Sequence, residues 1–226
     1  MQALLETLAR ELGRDSAQVA NVVALIDEGN TIPFIARYRK ELHGGMDDTT
    51  LRTLADRLQY LRNLDKRRQE VKEAIAAQDK LTEELCTAID AAATLAEVED
   101  IYRPYKPKRR TRATMAREKG LGSLADRLFA MGPPVDPEEE AVPFIDPDKG
   151  VETAADALQG ASDIIAEAVS DDADIRRTLR QICLRRGTLV SRAAEKEPED
   201  SVYRLYYDFH APVGRIQGYQ VLAINR

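Results

Sequence analysis

Residues 47–78 read DDTTLRTLADRLQYLRNLDKRRQEVKEAIAAQ and contain neither glycine nor proline. Leu51, Leu54, Leu58, Leu61, Leu64, Val71 and Ile75 recur mostly three or four positions apart, the spacing of one face of an α-helix. Asp47 and Asp48 are suited to cap its start. A helix of about 30 residues at 1.5 Å per residue spans roughly 45 Å, so it should cross several partners and act as a spine. Asp65 and Arg68 interrupt the heptad seam, which disfavours a long coiled-coil dimer, and the chain is expected to be monomeric.

Upstream of the spine, Leu4, Leu5, Leu8 and Leu12 sit at helical spacing before Gly13. Asp15 or Ser16 caps a second helix with Val19, Val22, Val23 and Ile26 on one face, and Gly29-Asn30 stops it. Pro33 suits the first turn of a short third helix through Phe34, Ile35 and Tyr38, and His43-Gly44-Gly45 breaks the chain. Residues 1–46 therefore read as a helix-turn-helix-like part. Arg37, Arg39 and Lys40 would be its recognition element on a duplex, with Arg37 and Lys40 three apart on one face. The other reading packs Phe34, Ile35 and Tyr38 against the second helix, with the arginines bracing their neighbours.

Downstream, helices are expected over 81–93 and 95–101. Residues 101–117, IYRPYKPKRRTRATMAR, then hold seven basic residues and no acidic one. Pro104 and Pro107 keep the first half extended. Thr111 caps a helix reaching Lys119 before Gly120, and another helix covers 123–131. Residues 47–131 form the central helical region, and 132–149 are a loop with Pro133, Pro134, Pro137, Pro143 and Pro147. Residues 136–172 carry twelve acidic side chains against one lysine. In the final region, 150–226, a helix should bear Ala155, Leu158, Ile164, Ile165 and Ala168. Asp171 or Asp172 caps the next, with Ile175, Leu179, Ile182 and Cys183 turned inward and Gly187 at its end. Residues 188–192 and 202–209 are strand-like and flank the charged turn 195–200 as a hairpin. The apolar run 221–224 meets no terminating signal, which suggests either an artificial chain boundary or a neighbouring domain. The fold class is mostly α: an elongated multi-helix domain with a helix-turn-helix-like part, a long central helix and a minor β element near the C-terminus.

Composition narrows the function classes. Aromatic residues are 5% and tryptophan is absent, which excludes an all-β domain, while 43% hydrophobic residues argue against disorder. No apolar run approaches the roughly 20 residues of a membrane helix. The N-terminus lacks the basic start and apolar stretch of a secretory signal, and Cys86 and Cys183 read as free thiols, so a reducing cytoplasm is expected. His43 and His210 are the only histidines and have no partner at metal-ligand spacing. Phosphate-loop, dinucleotide and nucleophile-elbow patterns do not occur. No active site, metal or cofactor is read from the sequence, and the chain is expected not to be an enzyme.

The candidate contacts lie in the basic run: Lys106, Lys108, Arg109, Arg110 and Arg112, with Arg37, Arg39 and Lys40 second. Cations at a helix start oppose the helix dipole and cost stability, so their presence points to an anion. Guanidinium groups pair bidentately with phosphate, and Tyr102 and Tyr105 would stack on bases if exposed. Such a contact has low sequence specificity and steep salt dependence. The alternative is intramolecular: the run docks on Glu97, Glu99 and Asp100 or on residues 136–140, and Tyr102 is core. The net charge of −6 does not exclude the first reading, because it averages a basic run and an acidic one.

Four strings point to one family: TIPFIARYRKE at 31–41 followed by His43-Gly44-Gly45, DIYRPYKPKRRTRATMAREK at 100–119, ALQGASDIIAE at 157–167, and VLAINR at 221–226. Nearly collinear across the chain, they resemble the N-terminal region of the Tex family of bacterial transcription accessory proteins. Family members commonly have Pro-Ser-His-Arg before LAINR, where this chain has Gln217-Gly218-Tyr219-Gln220, so that His-Arg pair has no counterpart here. The resemblance implies helical N-terminal architecture, followed in full-length members by an RNase H-like domain of resolvase type, helix-hairpin-helix motifs and an OB-type RNA-binding domain. It implies RNA or DNA and the transcription machinery as partners. The rival expectation is a structural module that docks on downstream domains or RNA polymerase without binding nucleic acid.

Overall fold

The computed structural model describes residues 2–107, 109–130, 136–193 and 201–225, and the chain divides into two units, residues 1–98 and 99–226. The first starts with α1 (Gln2–Leu12) and α2 (Ser16–Asp27). Asp15 caps α2, its carboxylate accepting from the Ala17 and Gln18 N–H groups at 2.9 and 3.2 Å. α3 (Ile32–Tyr38) and α4 (Lys40–His43) lead into α5 (Asp48–Ala76), the expected spine. Asp47 begins it, accepting from the Thr50 N–H at 2.7 Å. α6 (Glu83–Ala91) packs on α5, and α7 (Leu95–Tyr102) starts within this unit.

The face of α5 marked by its leucine spacing is the buried one. Leu51, Leu54, Leu58, Leu64, Val71 and Ile75 are at most 2% exposed. Leu51, Leu54 and Leu58 share a cluster with Leu8, Val19, Val22 and Ile35 from α1, α2 and α3. Each such side chain contributes about 1.5–3 kcal/mol on burial. Cations along the flanks of α5 then hold its neighbours in register. Arg57 grips Glu11 of α1 at 2.6 and 2.8 Å, Arg62 grips Asp27 of α2 at 2.7 and 2.8 Å, and Lys72 meets Asp90 of α6 at 2.6 Å. The hydrogen bonds from Arg57 and Arg62 hold the Glu11 and Asp27 carboxyls below their usual range. These pairs are partly exposed, each worth about 0–1 kcal/mol, so the apolar face dominates the stability.

One local expectation fails in this unit. Arg37 and Lys40 do not share a helical face, because Arg39 leaves the helix at φ −130° and ψ 35° and separates α3 from α4. The break lets α3 pack on α5 while α4 turns onto α2, which a straight helix could not do. His43, at the end of α4, is 1% exposed, and neither ring nitrogen meets a hydrogen-bond partner among the described residues. Burying an unpaired polar group costs about 1–3 kcal/mol. His43→Leu is therefore expected to raise stability by about 1 kcal/mol in urea unfolding, and a lower midpoint would show that the ring is hydrogen-bonded in solution.

The second unit continues through a 3-10 turn (Arg103–Tyr105) to α8 (Arg112–Glu118), α9 (Gly122–Phe129) and α10 (Pro137–Ala141). It ends with α11 (Ala154–Asp171), α12 (Ala173–Arg186), β1 (Thr188–Arg192), β2 (Asp208–Pro212) and α13 (Gly218–Ile224). Small side chains let α8 and α11 approach closely: Ala113 and Ala116 face Ala157 and Ala161 in a core closed by Leu121, Leu124, Val151 and Ile164. On α11 the buried residues are Ala157, Ala161 and Ile164, while Ala155 and Ala168 are exposed.

Within the expected proline loop, residues 137–149 include one short α-helix and two 3-10 turns. Asp136 caps α10, accepting from the Glu138 N–H at 2.9 Å, and Pro137 occupies its first turn. β1 matches the expected strand and pairs antiparallel with β2, Thr188 opposite Pro212 and Arg192 opposite Asp208. The second strand, however, is 208–212 and not 202–209, because Arg204–Tyr206 form a 3-10 turn. The turn at 195–200 lies outside the described residues.

The largest departure concerns α12. Leu179 and Ile182, expected inward, are 54% and 49% exposed, and Cys183 is exposed as well. A different face is held. Asp100 is 5% exposed, and Arg176 Nε and Arg180 Nη2 donate to its two carboxylate oxygens at 2.6 and 2.5 Å. A desolvated carboxylate needs paired cations. Arg176 and Arg180, four apart on one helical face, supply both and set the rotation of α12.

Candidate nucleic-acid interface

The basic run is built on the end of α7. The 3-10 turn with Pro104 follows, and Lys106 resumes extended backbone at φ −64° and ψ 136°. Thr111 then caps α8, its hydroxyl accepting from the Thr114 N–H at 3.1 Å. Glu167 of α11 fixes this end of the run, accepting from the Thr111 hydroxyl and from Arg117 Nη1, both at 2.8 Å. Glu167 thereby couples the start of α8 to a helix packed beneath it.

The cations of the run divide into two groups. Arg103 pairs with Asp171 at 2.9 Å, and Lys106 pairs with Glu99 while its ammonium lies 5.4 Å from the Tyr102 ring centroid. Tyr102 and Tyr105 are half-buried. Lys106 thus docks on one of the expected intramolecular acceptors, Glu99, whereas Arg103 takes Asp171, which lies outside the expected set. Glu97 instead accepts from the Ala93 N–H at 2.6 Å, and Asp136 and Glu140 bind the Glu138 N–H and Arg127. In the second group, Arg109, Arg110 and Arg112 are all exposed. Arg110 meets Glu118 at 2.6 Å with both side chains more than half exposed, a pair a phosphate could displace at little cost. Arg109 and Arg112 have no ion-pair or hydrogen-bond partner among the described residues. Lys108 lies outside the described residues.

The second expected cluster belongs to the first unit. Arg37 and Lys40 are exposed on separate helices, and Arg39 is half-buried, its guanidinium 5.1 Å from the Phe34 ring and donating to the Tyr38 carbonyl at 3.1 Å. Arg39 thus serves packing more than contact.

Sequence reading missed a second basic surface, although its signal was present. Residues 175–192 carry six arginines and no carboxylate. Arg176 and Arg180 hold Asp100, and Arg177 pairs with Asp174 at 2.8 Å. Arg185, Arg186 and Arg192 are exposed, with no such partner among the described residues. Among the described residues, no three or more His, Cys, Asp or Glu side chains converge as metal ligands, and no helix is long and apolar enough to cross a membrane.

Two family models match the chain: the Tex-like protein N-terminal domain over residues 2–76 and the Tex central region-like over 132–226. The basic run lies between them. The chain is 45% identical over 224 residues to protein tex of Bordetella pertussis, matching 99% of this chain and 28% of that protein. It is 41% identical over 220 residues to transcriptional accessory protein Tex of Neisseria gonorrhoeae, covering 97% and 29%. It is 30% identical over 232 residues to the human S1 RNA-binding domain-containing protein 1, covering 99% and 23%. The chain thus spans less than a third of the length of each of these relatives.

Proposed function

This chain belongs to the Tex-like protein family, and from that premise we propose that it contributes a sequence-independent nucleic-acid contact to a transcription accessory protein. Arg109, Arg110 and Arg112 neutralise backbone phosphates, and Lys108 extends the same run. The observation that carries this reading is that Arg109 and Arg112 stand exposed and unpaired among the described residues of an otherwise ion-paired segment. Exposed guanidinium groups without a carboxylate partner are free to take phosphate oxygens bidentately. Relatives named for transcription and for an S1 RNA-binding domain support the same ligand class. Arg37 and Lys40 are a secondary contact on the first unit.

Binding of this kind is governed by counterion release, with a log–log salt slope of about −0.7 to −0.9 per phosphate neutralised. In fluorescence anisotropy with labelled RNA and duplex DNA across a salt series, replacing Arg109, Arg110 and Arg112 together by alanine should flatten the slope by about 2–3. Affinity should fall for every sequence alike. Unchanged binding by that variant, or no binding at low salt by the unaltered chain, would overturn the proposal.

A further inference from the structure

Two carboxylates of α11 hold the basic run from both sides of Arg109. Asp171 accepts from Arg103 at 2.9 Å, and Glu167, four positions earlier and so on the same helical face, accepts from Thr111 and Arg117. The Asp171 and Glu167 side chains are only 13% and 17% exposed. Carboxylates so far withdrawn from water need cations. Asp171, in the last turn, also opposes the helix dipole, and that turn holds no basic residue to relieve it. The cations come from the run itself. Arg103 and Arg117 are taken up by α11, while Arg109, Arg110 and Arg112 between them stay exposed.

Glu167 divides its two oxygens. Oε1 accepts from Arg117 Nη1 and Oε2 from the Thr111 hydroxyl, both at 2.8 Å. A threonine hydroxyl has one proton and two lone pairs. With the proton on Glu167, the Thr111 oxygen is left to accept from the Thr114 N–H at 3.1 Å and the Thr114 hydroxyl at 2.9 Å. Glu167 thereby fixes the hydroxyl in the orientation that caps α8. Arg110 and Arg112 flank Thr111 in the chain, so the same clamp orients the backbone that carries them.

We infer that Glu167 is a positioning residue of the nucleic-acid contact, one that favours phosphate binding although its own charge is negative. It acts through Thr111 and Arg117, holding the start of α8 so that less chain has to be ordered on binding. This role rests on the proposed phosphate contact of Arg109, Arg110 and Arg112 and adds what holds them ready. Direct electrostatics and positioning predict opposite signs. A nearby negative charge repels phosphate, so its removal should tighten binding. A clamp that is removed should loosen it.

Anisotropy with fluorescein-labelled duplex DNA and RNA across a salt series decides the sign in the whole 226-residue chain. Glu167→Ala should weaken both ligands about three- to tenfold. Its salt slope should not flatten, because no cation is lost. Glu167→Gln keeps an acceptor for the Thr111 hydroxyl and should bind at least as tightly as the unaltered chain. Thr111→Val changes no charge, leaves the α11 carboxylate in place should Glu167→Ala fail to fold, and should weaken binding to the same degree. Thr111→Val combined with Glu167→Ala should be no weaker than either alone. Equal or tighter binding by Glu167→Ala, or additive losses in the double variant, overturns the inference. If the Arg109, Arg110 and Arg112 triple variant loses affinity while Glu167→Ala and Thr111→Val do not, the phosphate contact stands and the clamp falls. If the triple variant binds normally, the phosphate contact falls and the clamp with it.

Discussion

Asp100→Ala is expected to destabilise the unit formed by residues 99–226 by about 3 kcal/mol, toward the lower end for a broken buried ion pair. The carboxylate is almost fully buried, and its removal leaves Arg176 and Arg180 facing each other without a counter-charge. Their side chains are 32% and 38% exposed, so water recovers part of the loss. Urea unfolding of the variant measures it, and a loss below about 1 kcal/mol would show that the clamp is incidental. A second variant separates charge from space: Asp100→Leu with Arg176→Met and Arg180→Met should regain most of the stability, because apolar replacement of a whole buried ion pair is often neutral.

The same carboxylate sets an acid limit. Burial pushes the Asp100 carboxyl up, but the hydrogen bonds and charges of Arg176 and Arg180 outweigh it and hold it below the ordinary carboxylate range. A group with a depressed folded value contributes stability that is complete above its unfolded value and lost as pH falls through the folded one. The contribution of Asp100 should therefore persist to about pH 4 and disappear below it, and in Asp100→Ala that part of the acid dependence should vanish.

Gly160→Ala is expected to cost about 1–2 kcal/mol, the reverse of the usual gain of about 1 kcal/mol for that change within a helix. Gly160 lies in α11 where α8 and the α8–α9 turn come closest. A methyl built there would stand 2.3 Å from Leu121 Cδ1 and 3.3 Å from Ala116 Cβ. Leu121 is 1% exposed, so its methyl would have to shift within a packed side chain to make room. Gly122→Ala in α9 is the control, since its added methyl meets nothing within 4 Å and should be neutral or slightly stabilising. Thermal unfolding of the two variants side by side tests the packing: a Gly160→Ala variant as stable as the control would mean that the helices separate more easily than their alanine contacts imply.

The helical expectations that held are those with local causes. The α5 face follows from leucines three and four apart, and Asp15, Asp47, Thr111 and Asp172 cap helices through contacts two or three residues away. The family strings were equally legible, since they are strings. At α12, the largest departure, the cause is distant in sequence. The apolar pattern of α12 pointed inward at Leu179 and Ile182, but a buried carboxylate 76 and 80 positions earlier claimed the arginine face.

By itself, the sequence determined a mostly helical chain, its long spine, its breaks and a run of cations around residue 109, because helix periodicity, capping and charge counts involve neighbours within a few residues. The tertiary structure alone decided which of those cations remain available. Glu99 and Asp171 engage Lys106 and Arg103, Glu167 reaches Arg117 from fifty positions away, and Arg109 and Arg112 are left facing solvent. Ion pairing and exposure depend on which surfaces meet across the fold, and short-range spacing does not encode that.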